Sequence, residues 1–343
     1  MKIKSLFYLF ASVCLVLSSC SSDDENSGNN SLPEGALPSA EFTTNNLPDE
    51  PYAEDAVKIV TEENNAPFYS LELMADGHYL LCTTRPSDSN INKISVKKES
   101  NGSFNIHKRG KAKAMRTRSV TDESGTTILD NGMIYGTFTK LGEKIYRLND
   151  GCEVDLSELT GADNKVAYKN SDGTVSNVYV SASNPVSDDA ARSLCRTWNL
   201  NSLEVWGYFN SAYIAHGKQT LLSNGKVERY FKAAKNKLLD IEEDDFLDPD
   251  DELCYKVVFS QNGTYLCFYL DGTSDVYNWE WTDKSQGTIR TWDDVHYWWE
   301  EKDELFSTVR FAGKQMRIYT DATDNEDGYT SRFVEVLTLT VAQ

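Results

Sequence analysis

The chain has 343 residues, a formal net charge of −19 and 11 % aromatic residues. An acidic balance of that size repels polyanions, so nucleic acid is not an expected partner. The length exceeds one comfortable hydrophobic core and predicts two domains, while abundant Tyr, Thr and Val with few helical patterns predict a mostly β protein.

At the start, Lys2 and Lys4 precede an apolar run over residues 6–17, which ends in Leu17-Ser18-Ser19-Cys20. These are the parts of a secretory signal peptide, and the run is too short to span a bilayer. Leu-Ser-Ser-Cys resembles the bacterial lipobox, which implies a signal peptide over 1–19 and lipidation of Cys20. Two or more acyl chains, at about 0.8 kcal/mol per buried methylene, make a stable membrane anchor. The acidic run Asp23-Asp24-Glu25 that follows resembles the export signal of Bacteroidota-type surface lipoproteins. The resemblance implies an outer-membrane, cell-surface location. Residues 20–50 are rich in Ser, Asn, Asp, Pro and Gly and predict a disordered tether.

The first β domain is expected over 51–182. Residues 68–74 alternate, turn at Asp76-Gly77 and return through 78–84; residues 133–148 read as a second hairpin, and 174–181 as a closing strand. The basic segment 93–118 reads as a solvated hairpin or loop. Residues 181–189, with Pro185 and clustered Ser and Asp, read as a linker; Asp188 or Asp189 is placed to cap a short helical turn over 190–194.

The second β domain is expected over 190–343. Its centre is a meander: apolar runs at 255–259 and 264–270 meet at Asn262-Gly263, and a turn at Asp271-Gly272 leads to an alternating strand at 276–281. Asn-Gly and Asp-Gly between apolar runs are strong hairpin signals. Leu194-Cys195-Arg196-Thr197-Trp198, Phe259 with Gly263-Thr264-Tyr265, and Trp279-Glu280-Trp281 resemble the L-x-G-T-W opening and later motifs of lipocalin-like domains in Bacteroidota lipoproteins, with Arg196 at the motif glycine. The resemblance implies an up-and-down barrel or strongly curved sheet. Residues 227–239 predict an amphipathic helix inserted in it, from Val227, Tyr230, Phe231, Ala234 and Leu238. Alternation also predicts strands at 315–320 and 333–341. The meander of the first domain echoes that of the second, a weak internal repeat.

Little here carries chemistry. Five cysteines remain after Cys14 and Cys20, none in a C-x-x-C spacing, with Cys254 and Cys267 placed across one hairpin. His78, His107, His216 and His296 fit no metal or triad spacing, and no P-loop or G-x-S-x-G occurs. The acidic stretch 240–252 lacks the order of a calcium loop. No cofactor, metal ligand or catalytic residue is therefore expected. Tyr277, Trp279 and Trp281 are expected inside the barrel. Trp298 and Trp299 are flanked by Asp293, Asp294, Glu300 and Glu301, and adjacent strand residues face opposite sides, so one of the two tryptophans is the candidate ligand-binding ring. The leading expectation is a surface-anchored module binding a small apolar ligand or glycan. The alternative is an accessory lipoprotein contacting another envelope protein, and a hydrolase ranks third.

Overall fold

The computed structural model describes residues 35–48, 56–83, 95–98, 104–107, 117–121, 125–129, 133–159, 164–183, 185, 189–234, 243–247, 249–292, 305–326 and 329–342. Cys20, Trp298 and Trp299 lie outside them, as does most of the basic segment 93–118.

The first half supplies strands β1 (Val57–Val60), β2 (Ser70–Leu73), β3 (His78–Cys82), β4 (Ser95–Lys98), β5 (Phe104–His107), β6 (Thr117–Thr121), β7 (Thr127–Leu129), β8 (Met133–Gly142), β9 (Ile145–Leu148), β10 (Glu153–Asp155), β11 (Lys165–Lys169), β12 (Val175–Tyr179) and β13 (Ser181–Ser183). Antiparallel pairing runs β1–β2–β3–β8–β9–β10–β11–β12. From β12 the chain passes through Val180 into β13, which pairs back onto β1, so this sheet is a nearly closed barrel. Ser181–Ser183, expected in a linker, is thus a pairing strand. Alternation sends Leu71, Leu73, Tyr79, Leu81, Tyr146, Val154, Val166 and Val178 into one core. The β2–β3 turn needs its glycine, because Gly77 has φ +86°.

The second half begins with helix α1 (Asp189–Leu194) and strand β14 (Thr197–Phe209), followed by β15 (Ala212–Leu221), β16 (Val227–Ala233), helix α2 (Glu243–Phe246) and a 3₁₀ turn at Asp250–Glu252. Then come β17 (Cys254–Phe259), β18 (Thr264–Tyr269), β19 (Thr273–Asp283), β20 (Thr288–Trp292), β21 (Leu305–Ala312), β22 (Gln315–Glu326) and β23 (Tyr329–Val341). The ring β14–β17–β18–β19–β20–β21–β22–β23–β14 is antiparallel throughout and closes, giving an eight-stranded barrel without an open edge. The expectation of a mostly β chain with two antiparallel sheets, the second an up-and-down barrel or curved sheet, is borne out; the near closure of the first sheet goes beyond it.

Large side chains occupy the inside of the closed barrel. Trp198, Phe259, Trp279, Phe311, Met316 and Leu339 share one buried cluster, with Ala191 and Leu194 of α1 packed into it. Trp198 is fully buried, and its indole N–H donates to the Leu194 carbonyl at 2.9 Å. Burying one such ring removes roughly 150–250 Å² from water, or roughly 4–6 kcal/mol of gross transfer free energy. Tyr277 and Trp281 pack against the same cluster, as the alternation predicts.

Two expectations need correction. The tether expected over 20–50 does not extend through 35–48: Ala36 and Phe42 are buried, Thr43 pairs with Phe311 of β21, and the Arg317 guanidinium lies 4.2 Å from the Phe42 ring. Two apolar side chains suffice because the barrel offers them a finished surface. The insertion does carry a helix, but it is α2; the helix expected over 227–239 gives way, over its first seven residues, to β16. The pattern at 227–233 fits both periods, and the exposed edge of β15 decides between them.

The two barrels meet through the outer faces of the two meanders that echo one another. Met74, Leu80 and Tyr135 pack against Val258, Leu266 and Phe268. Strand β6, hydrogen-bonded to β7 beside β8, also pairs with β19. Two carboxylates are built into this junction. Glu72, buried at 2 % exposure, accepts from Asn262 Nδ2 at 3.1 Å and Thr264 Oγ1 at 3.0 Å, with Lys58 Nζ at 3.8 Å. Asp76 accepts from both the backbone and the hydroxyl of Thr197.

Candidate functional site

β14 carries a neighbour along each edge, and one edge changes partner midway. Residues 197–199 pair with β17, whereas 202–209 pair with β15. The sheet therefore splays away from the barrel wall, and β16 extends it by a further strand. The inner face of this extension is filled by α2 and the residue after it: Phe246 and Leu247 pack on Ala215, Phe231 and Phe333. Gly207 and Gly217 make the approach possible. A Cβ at Gly217 would stand 2.6 Å from Leu247 Cδ2, and one at Gly207 would stand 2.7 Å from Phe246 Cε2. Arg229 ties the acidic stretch to β16 by reaching Glu243 at 2.6 Å and Asp250 at 3.1 Å. Two acids of the 240–252 run are thereby spent on an arginine. Among the described residues no cluster of His, Cys, Asp or Glu has the geometry to hold a metal ion.

The outer face is aromatic and polar together. Trp206 lies opposite His216, and Tyr208 lies opposite Tyr213 across a β-bulge that keeps all four on one side. The Trp206 and His216 rings stack at 4.8 Å and 6°. Tyr230 meets the His216 ring edge-on at 5.4 Å, and Tyr208 meets Tyr213 at 6.0 Å. Trp206 is buried beneath, whereas Tyr213 and Tyr230 stand 40 % and 48 % exposed.

Charged groups are fixed between these rings. Glu204 holds His216 Nε2 at 2.8 Å and Lys218 Nζ at 3.3 Å. Beyond Tyr208, Arg332 grips Asp321 with two bonds of 2.8 and 2.6 Å. Burial raises the Tyr208 hydroxyl above its ordinary pKa, with Arg332 pulling it down and Asp321 pushing it up. Burial also raises Tyr213, helped by Tyr230 and Tyr208. Both phenols stay protonated at neutral pH and keep their hydrogen-bond donors. The face thus combines flat apolar rings with oriented carboxylates, a cation pair and hydroxyls. That combination suits a ring-shaped polyol, whose C–H faces stack while its hydroxyls hydrogen-bond.

None of these residues was a site candidate in the sequence. Trp298 and Trp299, which were, lie outside the described residues, as does Cys20. Cys254 and Cys267 are both free thiols, Cys267 buried and Cys254 half-buried, and the Cys254 Sγ–H donates to the Lys256 carbonyl at 3.5 Å. His78 stacks on Tyr135 at the junction of the barrels, 5.2 Å apart. Its Nδ1 faces both Asp76, at 3.1 Å, and Thr197 Oγ1, at 3.4 Å. With acid and hydroxyl on the same ring nitrogen, this is a structural tie rather than a nucleophile–base–acid relay, in which the two would sit on opposite nitrogens.

No protein-family model matches the chain, and no curated protein matches it. Among solved structures it is similar to a protein of unknown function from the DUF3598 family of Nostoc punctiforme. The identity is 9 % and the TM-score 0.14, over 86 % of this chain and 96 % of that one.

Proposed function

We propose that the chain is a lipid-anchored binding module of the outer-membrane surface and that the outer face of β14–β16 takes a glycan. The anchor rests on Leu17-Ser18-Ser19-Cys20, and the surface location on the acidic residues after it. The observation that carries the glycan reading is the pair of exposed rings, Tyr213 and Tyr230, on the same face as the ion-paired Glu204. A glycan is favoured over a small apolar ligand inside the barrel because Trp198, Phe259, Trp279 and Met316 already occupy that interior. Titration of a panel of oligosaccharides, followed by calorimetry and protein fluorescence, tests the reading. Tyr213→Ala and Tyr230→Ala each weaken binding at least tenfold while leaving the fold intact. Binding unaffected by either substitution, or no binding across the panel, removes the proposal.

A second reading, an accessory protein contacting another envelope protein, draws on β12. Val175 and Tyr179 share its outer side at 57 % and 58 % exposure. Crosslinking from position 179 in cells separates the two readings, since only the accessory reading predicts a discrete protein adduct there.

A further inference from the structure

Lys256 occupies an unusual place for an ammonium group. It sits on β17, on the outer side of the closed barrel, at the rim of the junction with the first barrel. Its Nζ lies 4.1 Å from the Phe268 ring centre, 5.1 Å from Tyr135 and 5.8 Å from Tyr255. Those rings come from three elements: β18, β8 and β17 itself. Among the described residues no carboxylate pairs with it. Its titratable neighbours are the Tyr135 and Tyr255 hydroxyls, which burial keeps protonated at neutral pH, and the Cys254 thiol, which its interaction with Cys267 and then burial keep protonated. None supplies a negative charge. Even so, the side chain is only half-buried, so small reagents reach it.

We propose that Lys256 is a covalent-attachment site for small aldehydes, which its amine captures as imines among the Phe268, Tyr135 and Tyr255 rings at the rim of the junction between the barrels. The neutral nitrogen adds its lone pair to the carbonyl carbon, and the carbonyl oxygen takes up a proton. The carbinolamine then loses that oxygen as water and the nitrogen loses its remaining proton, leaving a C=N bond. No oxidant or reductant enters. The surrounding rings take part of the amine's hydration shell away while leaving one side open to a small reagent.

Desolvation supports the reactivity by lowering the Lys256 ammonium to about 8, against an opposing influence of Cys254. Attraction between an ammonium and ring faces restores part of its charged form, without a carboxylate to complete the task. At pH 7.4 about a fifth of such amines are neutral, against about one in a thousand for an ordinary lysine. Lower basicity also weakens each neutral amine as a nucleophile, so the net advantage is about tenfold.

The test is limited reductive alkylation of the intact protein with formaldehyde and cyanoborohydride, with peptide mapping by mass spectrometry. Lys144 and Lys226, both exposed, serve as internal references. Lys256 is expected to label about tenfold faster than either at pH 7.4, with a pH profile that levels off near 8 rather than above 10. Phe268→Leu opens the cage and is expected to bring the rate down toward the reference lysines. Labelling of Lys256 at or below the rate of Lys144 overturns the proposal, as does a profile still rising through pH 10. Neither result bears on saccharide binding at Tyr213 and Tyr230, which lie on a different face.

Discussion

Thr197 donates to Asp76 twice, from its backbone N–H at 2.8 Å and from its hydroxyl at 2.9 Å, although 121 residues separate them. Because that hydroxyl proton is committed to Asp76, the Tyr135 hydroxyl donates to Thr197 Oγ1, at 2.9 Å. The first strand of the closed barrel is thereby tied through Thr197 to two places on the other barrel, the β2–β3 turn by way of Asp76 and β8 by way of Tyr135.

This carboxylate sets an acid limit. Burial pushes the Asp76 carboxyl up, but His78 and Thr197 more than offset it, so it titrates below its ordinary 3.8. A depressed folded-state pKa means the contribution is fully present above the unfolded value and is lost as pH falls through the folded one. Denaturation midpoints are therefore expected to hold between pH 7 and 5 and to fall below about pH 4. Asp76→Asn lowers stability at pH 7 by about 2 kcal/mol and flattens the acid limb. An unchanged acid limb in the variant assigns the loss to other carboxylates.

Glu72 makes the second tie, and its burial makes the removal of a donor costly. Thr264→Val deletes one of the two hydrogen-bond donors that face it. A buried charge left short of a donor loses about 1.5–3 kcal/mol. In Glu72→Gln the same Thr264→Val change is expected to cost about half as much. Urea denaturation of the four proteins of this cycle measures the coupling, and additivity of the two changes excludes it.

Gly217 is required by the helix that fills the sheet extension. Gly217→Ala puts a methyl against Leu247 and Phe246, forcing α2 outward at about 1–3 kcal/mol. Fluorescence and hydrogen exchange at 243–247 follow the displacement. Unchanged stability there means the leucine swings aside freely.

What could be read from the residues follows the range of the interactions. The meander over 254–283 was legible because Asn262-Gly263 and Asp271-Gly272 are local turn signals and the apolar runs between them are unbroken. The strand at 227–233 was not, because Val227, Tyr230 and Phe231 suit a helix face while Val227, Arg229 and Phe231 suit a strand face. Only pairing with β15 separates them. Phe42 and Ala36 looked like stray apolar residues in a polar tract until a barrel surface existed to receive them. The same applies to the candidate site. Tyr208, Tyr213, His216 and Tyr230 come from three strands, and no spacing in the chain marks them as one surface. The bulge at Gly207–Tyr208, which keeps Tyr208 and Tyr213 on the face of Trp206 and His216, carries no motif.

The indoles inside the closed barrel give the sharpest test of that packing. Trp279 and Trp281 meet edge to face at 5.6 Å. The Trp279 N–H donates to the Ser260 carbonyl at 2.8 Å. The Trp281 Nε1, by contrast, is shielded from solvent and has no hydrogen-bond partner among the described residues. Replacing tryptophan by phenylalanine removes the indole nitrogen from both sites, and because Trp279 is buried and Trp281 half-buried, the packing and polar contributions both weigh more at Trp279. Trp279→Phe loses a made hydrogen bond and orphans a buried carbonyl, at about 1–3 kcal/mol beyond the packing loss. Trp281→Phe sheds a donor that was already unmet, which returns about 1–2 kcal/mol against a smaller packing loss. Trp279→Phe is therefore expected to be the less stable variant by about 2 kcal/mol or more, read from chemical denaturation at neutral pH. Equal costs at the two positions mean that water or a neighbouring group satisfies Trp281, and that the barrel interior around it is wetter than its side chains imply.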